Sequence, residues 1–193
     1  MQKDRLAAFS DGVIAVIITI MVLDLKIPHD PSLNALKAVF PTFVSYILSF
    51  IYVAIYWNNH HHFFHLVTRV NGAILWANMH LLFWLSLIPF ATGWLGENDT
   101  ASWPAAIYGV ALLMPAIAWY GLQTVIIRTQ GPGSALAQAL GPDLKGKISP
   151  LLYLTGIGLA FAYVWLADAI YALVALMWII PDRRVEDAIS RAG

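Results

Sequence analysis

Residues 5–23 read RLAAFSDGVIAVIITIMVL, an apolar run that carries one carboxylate, Asp11, near its start. A run of this length can cross a bilayer as an α-helix, which needs about 20 apolar residues. No small-residue cleavage site of a signal peptide accompanies it, so a retained first span is expected. Because a carboxylate inside a membrane helix is costly, Asp11 is expected either to tie helices together or to serve the function directly.

The composition places the chain in the membrane class. Of its 193 residues, 60% are hydrophobic and only 11% are charged, whereas charged residues make up about 25% of a typical soluble domain. The formal net charge is zero, so no basic surface for nucleic acid is indicated. The chain has no cysteine, which excludes disulfide and thiol chemistry.

Hydropathy and turn signals predict an all-α membrane protein with six spans in one domain, 1–193. The last apolar stretch, 148–180, carries one charge, Asp168. As a single helix it would measure about 50 Å, well beyond the roughly 30 Å hydrocarbon core, so we predict two spans that turn near Asp168. The predicted spans are residues 5–25, 35–60, 73–92, 103–127, 148–167 and 168–181.

An even number of spans places both termini on one side of the membrane. If that side is the cytoplasm, only Lys26 and Lys37 of the 11 Lys and Arg residues lie in outer segments, and the other nine lie in inner ones. Such an excess of inner positive charge is the usual orientation of membrane proteins, so cytoplasmic termini are predicted. The charged stretch 182–187 is expected to form a solvated or membrane-surface tail.

The first span has two different faces when it is drawn at about 100° per residue. Val16, Ile20 and Leu23 share one face, with Thr19 beside them. Asp11 lies off that face and can point toward a neighbouring span. The first helix can therefore present an apolar surface on one side and polar contacts on another.

Polar side chains on three spans are predicted to lie at a similar depth near the inner face. Asp11 lies about 9 Å along the helix from Arg5. Trp57 and His60 close the second span, and Asn78 lies within two turns of the start of the third. A carboxylate accepts hydrogen bonds, an indole donates one, and an amide does both. We predict a buried network among them, which would let the carboxylate stay ionised.

The motif Arg5-x-x-x-Phe9-Ser10-Asp11 resembles the Arg-x-x-x-Phe-Ser-Asp signature of the transmembrane protein 175 family, the bacterial and lysosomal-type potassium channels. The similarity covers nearly the whole chain, although its specific motifs lie in the first three spans. Six spans and the chain length agree with a bacterial, single-repeat member. The further matching positions are Gly12, the run Thr19–Asp24, Trp57-x-x-His60, Asn78 and Pro89-Phe90.

The resemblance implies a homotetramer in a bacterial inner membrane, with four copies of the first helix around a central pore. The Thr-Val-Gly-Tyr-Gly carbonyl filter of ordinary potassium channels is absent from the family and from this sequence. By position, the resemblance implies an apolar constriction at Val16, Ile20 and Leu23 and a selectivity layer at Thr19. The implied structural network consists of Arg5, Phe9, Ser10, Asp11, Trp57, His60 and Asn78.

We therefore predict a leak-like cation channel, not an enzyme, with modest preference for potassium over sodium. Ile20 is predicted to set the narrowest point, because it lies near mid-membrane and is larger than Val16. Asp24, one turn further out, would place four carboxylates near the outer mouth. The predicted partners are other copies of the chain, the lipid bilayer and permeant potassium ions, with no cofactor, no metal site and no nucleic acid.

Two alternatives remain open at this point. Asp11 and His60 could serve a proton-coupled secondary transporter, although no inverted repeat supports one. The cluster His60-His61-His62-x-x-His65 could serve a membrane-embedded metal-dependent enzyme, because imidazole is the commonest metal ligand. No cysteine or carboxylate lies near that cluster in sequence. Gly156-x-Gly158 is expected to permit close helix contact rather than to bind a nucleotide.

Overall fold

All regular elements in the computed structural model are helices, and the structure describes residues 3–140 and 143–179. The all-α prediction is therefore confirmed. The first helix, α1, continues into a short 3₁₀ turn, Met21–Asp24. The helices are α1 (Lys3–Ile20), α2 (Leu33–Ala38), α3 (Phe40–His65), α4 (Gly72–Leu85), α5 (Ile88–Glu97), α6 (Ser102–Gln130), α7 (Ala135–Leu140), α8 (Leu144–Leu159) and α9 (Val164–Ile179).

Four helical segments of the described residues are long and apolar enough to cross a bilayer. They are Lys3–Asp24, Phe40–His65, Gly72–Glu97 and Ser102–Gln130. They correspond to the first four predicted spans, which makes the chain a multi-pass membrane protein. Helices α8 and α9 have 16 residues each, or about 24 Å, somewhat less than the hydrocarbon core. The total of six spans stays a prediction.

Prolines change two of the predicted spans: one begins later than predicted, and another is interrupted. Helix α3 begins at Phe40 rather than at residue 35, with Pro41 in its first turn, where the missing N–H is tolerated. The third predicted span is not continuous but consists of α4 and α5. Pro89 lies in the first turn of α5, and a proline ring clashes with the carbonyl four residues earlier. That carbonyl belongs to Leu85, the last residue of α4.

The predicted turn near Asp168 is wrong. The chain turns at residues 160–163, and Asp168 lies inside α9. Helix α8 starts earlier than predicted because Asp143 caps it, with Oδ1 accepting a hydrogen bond from the Gly146 N–H at 3.0 Å. A helix that starts earlier also reaches its far end earlier. The end of the predicted sixth span and the 182–187 tail lie outside the described residues.

Helix α6 is the central element of the bundle. It packs against α4 on one side and α8 on the other, while α3 packs against α5, and α1 packs against α3 and α4. Two apolar clusters result. The first joins α1, α3, α4 and α6, and the second joins α3, α5, α6, α8 and α9. Helix α1 therefore lies at the margin of the first cluster, with one side uncovered.

Glycines allow the helices of the second cluster to approach closely around Tyr171. A Cβ atom at Gly156 would lie 2.5 Å from Tyr171 Cε1, and one at Gly109 would overlap the Tyr171 hydroxyl. The predicted role of Gly156 in close helix contact is confirmed. At Gly158 an added Cβ would meet no atom within 4 Å, so this glycine makes no such contact.

Candidate functional site

The two faces predicted for the first helix are present in α1. Its buried face carries residues three or four positions apart: Leu6, Ser10, Ile14, Ile17 and Met21. This spacing is that of one helical face packed on a core. On the opposite side, Val16, Ile20 and Leu23 are 57%, 40% and 79% exposed. An apolar, uncovered face on a helix that is firmly packed elsewhere is the feature on which the site is built.

Thr19 is the polar member of the exposed face. Its hydroxyl lies 3.0 Å from the Ala15 carbonyl oxygen and 3.0 Å from the Val16 carbonyl oxygen, both within α1. The single hydroxyl hydrogen is therefore donated to the helix itself, as threonine in membrane helices commonly does. The oxygen lone pairs remain available toward the exposed side, so Thr19 can act there only as an acceptor.

Three side chains tie the buried face of α1 to α3 and α4. Asn78 Nδ2 donates to Ser10 Oγ at 2.9 Å, and Asn78 Oδ1 lies 2.9 Å from His60 Nε2. Ser10 in turn donates to the Leu6 carbonyl at 2.9 Å. Ser10, His60 and Asn78 are all fully buried. We call these three residues the anchor, and all three belong to the predicted network.

The donor order of the anchor sets the tautomer of His60. Asn78 uses its NH₂ group toward Ser10, so its carbonyl oxygen is the acceptor for His60, and Nε2 must carry the hydrogen. Phe64 stacks on the imidazole with ring centroids 4.3 Å apart. His60 Nδ1 is buried without a hydrogen-bond partner among the described residues. The ring is thus held in one orientation by α4 and by its own helix.

The other residues of the predicted network do not join the anchor. Arg5 and Phe9 are exposed, and within residues 3–140 and 143–179 the one ion pair is between Lys26 and Glu97. Trp57 stacks on His61, with centroids 5.8 Å apart, and makes no hydrogen bond in this part of the chain. Asp11 is partly buried, and its Oδ1 has no described partner.

Asp11 is expected from the sequence to accept hydrogen bonds from Trp57, His60 or Asn78, and the structure shows none of these contacts. The predicted common depth therefore does not bring Asp11 and Trp57 into the anchor. Spacing along a helix fixes the level and the face of a residue, whereas the rotamer of its side chain depends on the packing of the neighbours.

Asp24 lies at the end of the 3₁₀ turn, beside α5 rather than on the exposed face of α1. Its side chain packs against Gly93, where an added Cβ would lie 3.3 Å from the Asp24 Cγ. The ion pair between Lys26 Nζ and Glu97 Oε1, at 2.8 Å, is part of the same groove. Two carboxylates, those of Asp24 and Glu97, and the ammonium group of Lys26 thus lie together near the end of α1.

A second buried polar cluster is absent from the sequence prediction. Ser49 Oγ lies 2.6 Å from Thr92 Oγ1 and 2.9 Å from the Tyr108 hydroxyl, which joins α3, α5 and α6. Nearby, the Thr42 hydroxyl donates to the Gly96 carbonyl at 2.9 Å. Ser and Thr inside apolar spans often bond across membrane helices, and this signal could have identified the cluster.

The histidine cluster separates into two parts. His60 belongs to the anchor, whereas His61 and His65 are exposed and their Nε2 atoms lie 3.2 Å apart. Among the described residues, no group of three or more His, Cys, Asp or Glu side chains could hold a metal ion. A catalytic metal usually needs three protein ligands, so the metal-dependent enzyme gains no support in this part of the chain.

A family model described as "Endosomal/lysosomal potassium channel TMEM175" matches residues 5–89. This segment contains α1, the anchor and the exposed apolar face. The matched region therefore coincides with the part of the fold in which the candidate site lies.

Curated relatives resemble the chain over almost its whole length. A potassium channel of Chryseobacterium sp. (strain P1-3) is 54% identical over 98% of this chain and 99% of that protein. A potassium channel of Streptomyces collinus is 32% identical, over 92% of this chain and 91% of that protein. A crystal structure described as a lysosomal potassium-selective channel TMEM175 homolog from Chamaesiphon minutus matches with a TM-score of 0.83. The two chains are 28% identical, and the match covers 93% of this chain and 97% of the Chamaesiphon chain.

Proposed function

Because the chain belongs to the TMEM175 family, we propose that it is a potassium-permeable cation channel with an apolar constriction in place of a carbonyl filter. The family is one of ion channels rather than enzymes. The observation that carries the proposal is the uncovered face of α1, with Val16, Ile20 and Leu23 exposed on a helix that the anchor fixes from behind. We propose that four copies of this face surround the ion path.

The size of the exposed residues favours α1 over α3 as the pore helix. The uncovered face of α1 includes small residues at successive turns, Ala8, Gly12 and Ala15. Small residues let helices approach closely around an axis. The exposed residues of the outer half of α3 are bulky: Phe40, Phe43, Val44, Ile47 and Phe50. Such a surface suits contact with lipid, so a homotetramer with α1 at its centre is the assembly we propose.

The side chains of the exposed face suggest how ions pass. Rings of Val16, Ile20 and Leu23 offer no oxygen, so a cation must cross them with much of its hydration retained. Apolar constrictions can also close by losing their water. The four Thr19 oxygens, with their hydrogens donated to α1, are acceptors that can contact a partly hydrated cation. One ring of hydroxyl oxygens would give a modest preference for potassium.

Acidic groups at the outer end of α1 would raise the local cation concentration. Asp24 and Glu97 carry two negative charges there, and Lys26 offsets one of them. Four subunits would thus leave a net negative outer mouth, which attracts cations most strongly at low ionic strength. The packing of Asp24 against Gly93 makes this an effect of the field rather than of direct ion contact.

Potassium flux into liposomes tests the function. Purified protein in liposomes is expected to pass potassium passively, with a reversal potential that follows the potassium gradient. Protein-free liposomes serve as the negative control, and the same vesicles with a potassium ionophore serve as the positive control. Protein liposomes that hold their potassium gradient while the ionophore dissipates it would contradict the proposal.

A proton-coupled transporter remains the second candidate, because Asp11 Oδ1 and His60 Nδ1 are both buried without described hydrogen-bond partners. Carboxylate and imidazole groups inside a membrane are the side chains from which proton relays in transporters are built. The same liposomes discriminate between the two. A channel passes potassium at equal pH on both sides, whereas coupled transport requires or creates a pH difference. Potassium movement that depends on an imposed pH gradient would favour the transporter.

The proposed location is a bacterial inner membrane with both termini in the cytoplasm, and single cysteines test this orientation. The chain contains no native cysteine. A cysteine at the exposed Asn98 is expected to react with an impermeant thiol reagent in intact cells. A cysteine at Gly133, where an added side chain meets no atom within 4 Å, is expected to react only after the membrane is opened. The reverse pattern of labelling would overturn the orientation.

A further inference from the structure

A cavity lies between α3, α6, α8 and α9, and no residue of α1 lines it. It contains about 540 Å³ of empty space, part of it open to solvent, on the side where α3 ends and α8 begins. The cavity is therefore separate from the proposed ion path.

Aromatic rings form a large part of the cavity wall. They belong to Tyr52, Tyr56, Trp119, Tyr120, Tyr153 and Trp178. Tyr56 and Trp119 meet edge to face with centroids 6.4 Å apart, and Tyr52 and Tyr153 are tilted with centroids 6.3 Å apart. The faces of Tyr and Trp rings are electron-rich and attract cations within about 6 Å. Walls of this kind favour a flat or cationic ligand over an anionic one.

Gln123 supplies an unpaired amide to the same cavity. Its side chain is only 6% exposed, and it makes no hydrogen bond with any described residue. Its amide atoms are not among the fully buried atoms that lack a partner, so they are accessible from the cavity. Asn59, also in the lining, donates its amide to the Ile55 carbonyl at 2.9 Å, which leaves its own carbonyl oxygen as an acceptor. Two amide oxygens are thus available to a ligand that donates hydrogen bonds.

The charge of the lining points to the same class of ligand. Asp143 is its one carboxylate, and no Lys, Arg or His is among the described residues that line the cavity. The Asp143 Oδ1 atom caps α8 through the Gly146 N–H, and Oδ2 is not needed for that cap. The lining therefore combines one negative charge, two amide oxygens and aromatic faces.

We propose that this cavity binds a small organic cation, a protonated amine attached to a flat apolar group. The apolar group packs between the rings of Tyr56, Trp119 and Trp178. The ammonium group donates hydrogen bonds to the oxygens of Asn59 and Gln123 and is attracted by Asp143. The site lies outside the α1 face, so its ligand acts on the contacts among α3, α6 and α8 and does not need to enter the pore.

Calorimetric titration of the full-length protein in detergent micelles tests the site. The probe is benzylammonium, and the matched neutral control is benzyl alcohol, which has the same ring and nearly the same shape. Benzylammonium is expected to bind saturably and about tenfold more tightly than benzyl alcohol, since one lost charge-assisted contact changes affinity by about that factor. Equal binding of the two probes, or binding of neither, would overturn the proposal.

Two lining variants and one pore variant locate the binding. Asp143→Asn keeps an N-capping side chain on α8 but removes the charge. Gln123→Leu removes an amide that has no partner among the described residues, so the fold should tolerate it. Each is expected to weaken benzylammonium binding about tenfold and to leave benzyl alcohol binding unchanged. Thr19→Val, on the exposed face of α1, should leave both unchanged.

The reverse result has a clear meaning. Loss of benzylammonium binding in Thr19→Val protein, with full binding in Asp143→Asn and Gln123→Leu, would place the cation in the pore and overturn the cavity site. Potassium flux could then still proceed as proposed, so failure of this site and failure of the channel function are separate outcomes.

Discussion

An Ile20→Asn channel is expected to carry a several-fold larger potassium current and to discriminate less between potassium and sodium. Ile20 lies on the uncovered face of α1 and is 40% exposed in the single subunit. Asn is slightly smaller and polar, so four copies would widen the ring and hold water inside it. The barrier to a hydrated cation at an apolar ring would fall. Sodium, the more strongly hydrated ion, should benefit most.

Current and reversal potential under bi-ionic potassium and sodium conditions measure this effect. Ile47→Asn is a matched control, because Ile47 on α3 is 42% exposed and receives the same substitution on a face that we assign to lipid. It should leave the reversal potential unchanged. Thr19→Val is the second comparison: it removes the oxygen without widening the ring, so discrimination should fall while current stays similar. Unchanged current and reversal potential in Ile20→Asn would show that α1 does not line the pore there.

The faces of α1 could be predicted from the sequence because they depend only on helical periodicity. The buried residues Leu6, Ile14 and Met21 and the exposed Val16 and Leu23 fall where the wheel puts them. No side-chain conformation has to be known for such a prediction. The membrane class follows in the same way from composition alone.

The polar contacts could be predicted only in part. Ser10, His60 and Asn78 meet as expected because each lies on a face turned toward the others. Asp11 and Trp57 do not join them, because their contacts depend on rotamers and on the packing of neighbouring helices. The link from Ser49 to Tyr108 spans 59 residues of sequence, and periodicity within one helix carries no information about such a pairing.

The last two helices are the least predictable for a different reason. The turn at residues 160–163 contains neither Gly nor Pro, so it has no turn signal in the sequence. The one charge in the stretch, Asp168, suggests a turn at its own position. Its Oδ1 atom is instead buried in α9 without a hydrogen-bond partner among the described residues. A single charge within an apolar stretch is thus weak grounds for placing a turn.

Asn78→Leu is expected to release α1 from the bundle. Leucine is branched at Cγ like asparagine but neither donates nor accepts, so the His60 Nε2–H loses its acceptor inside an apolar environment. Leaving a buried polar group unpaired typically destabilises a fold by about 1–3 kcal/mol. Ser10 keeps its bond to the Leu6 carbonyl and is affected less. Because α1 is proposed to meet its copies at the centre of the tetramer, the oligomer should dissociate more readily and potassium flux should fall.

Thermal stability in detergent and the elution volume on size exclusion measure the effect of Asn78→Leu. Asn98→Leu is the control, since Asn98 is exposed and donates only to the nearby Trp94 carbonyl. The double variant His60→Leu/Asn78→Leu gives the sharper test, because replacing both partners of a buried hydrogen bond by apolar groups can be nearly neutral. If the anchor acts through its hydrogen bonds, the double variant should be more stable than Asn78→Leu alone. Destabilisation that simply adds in the double variant would mean that His60 and Asn78 contribute only through packing, and the anchor would then have no part in orienting the exposed face of α1.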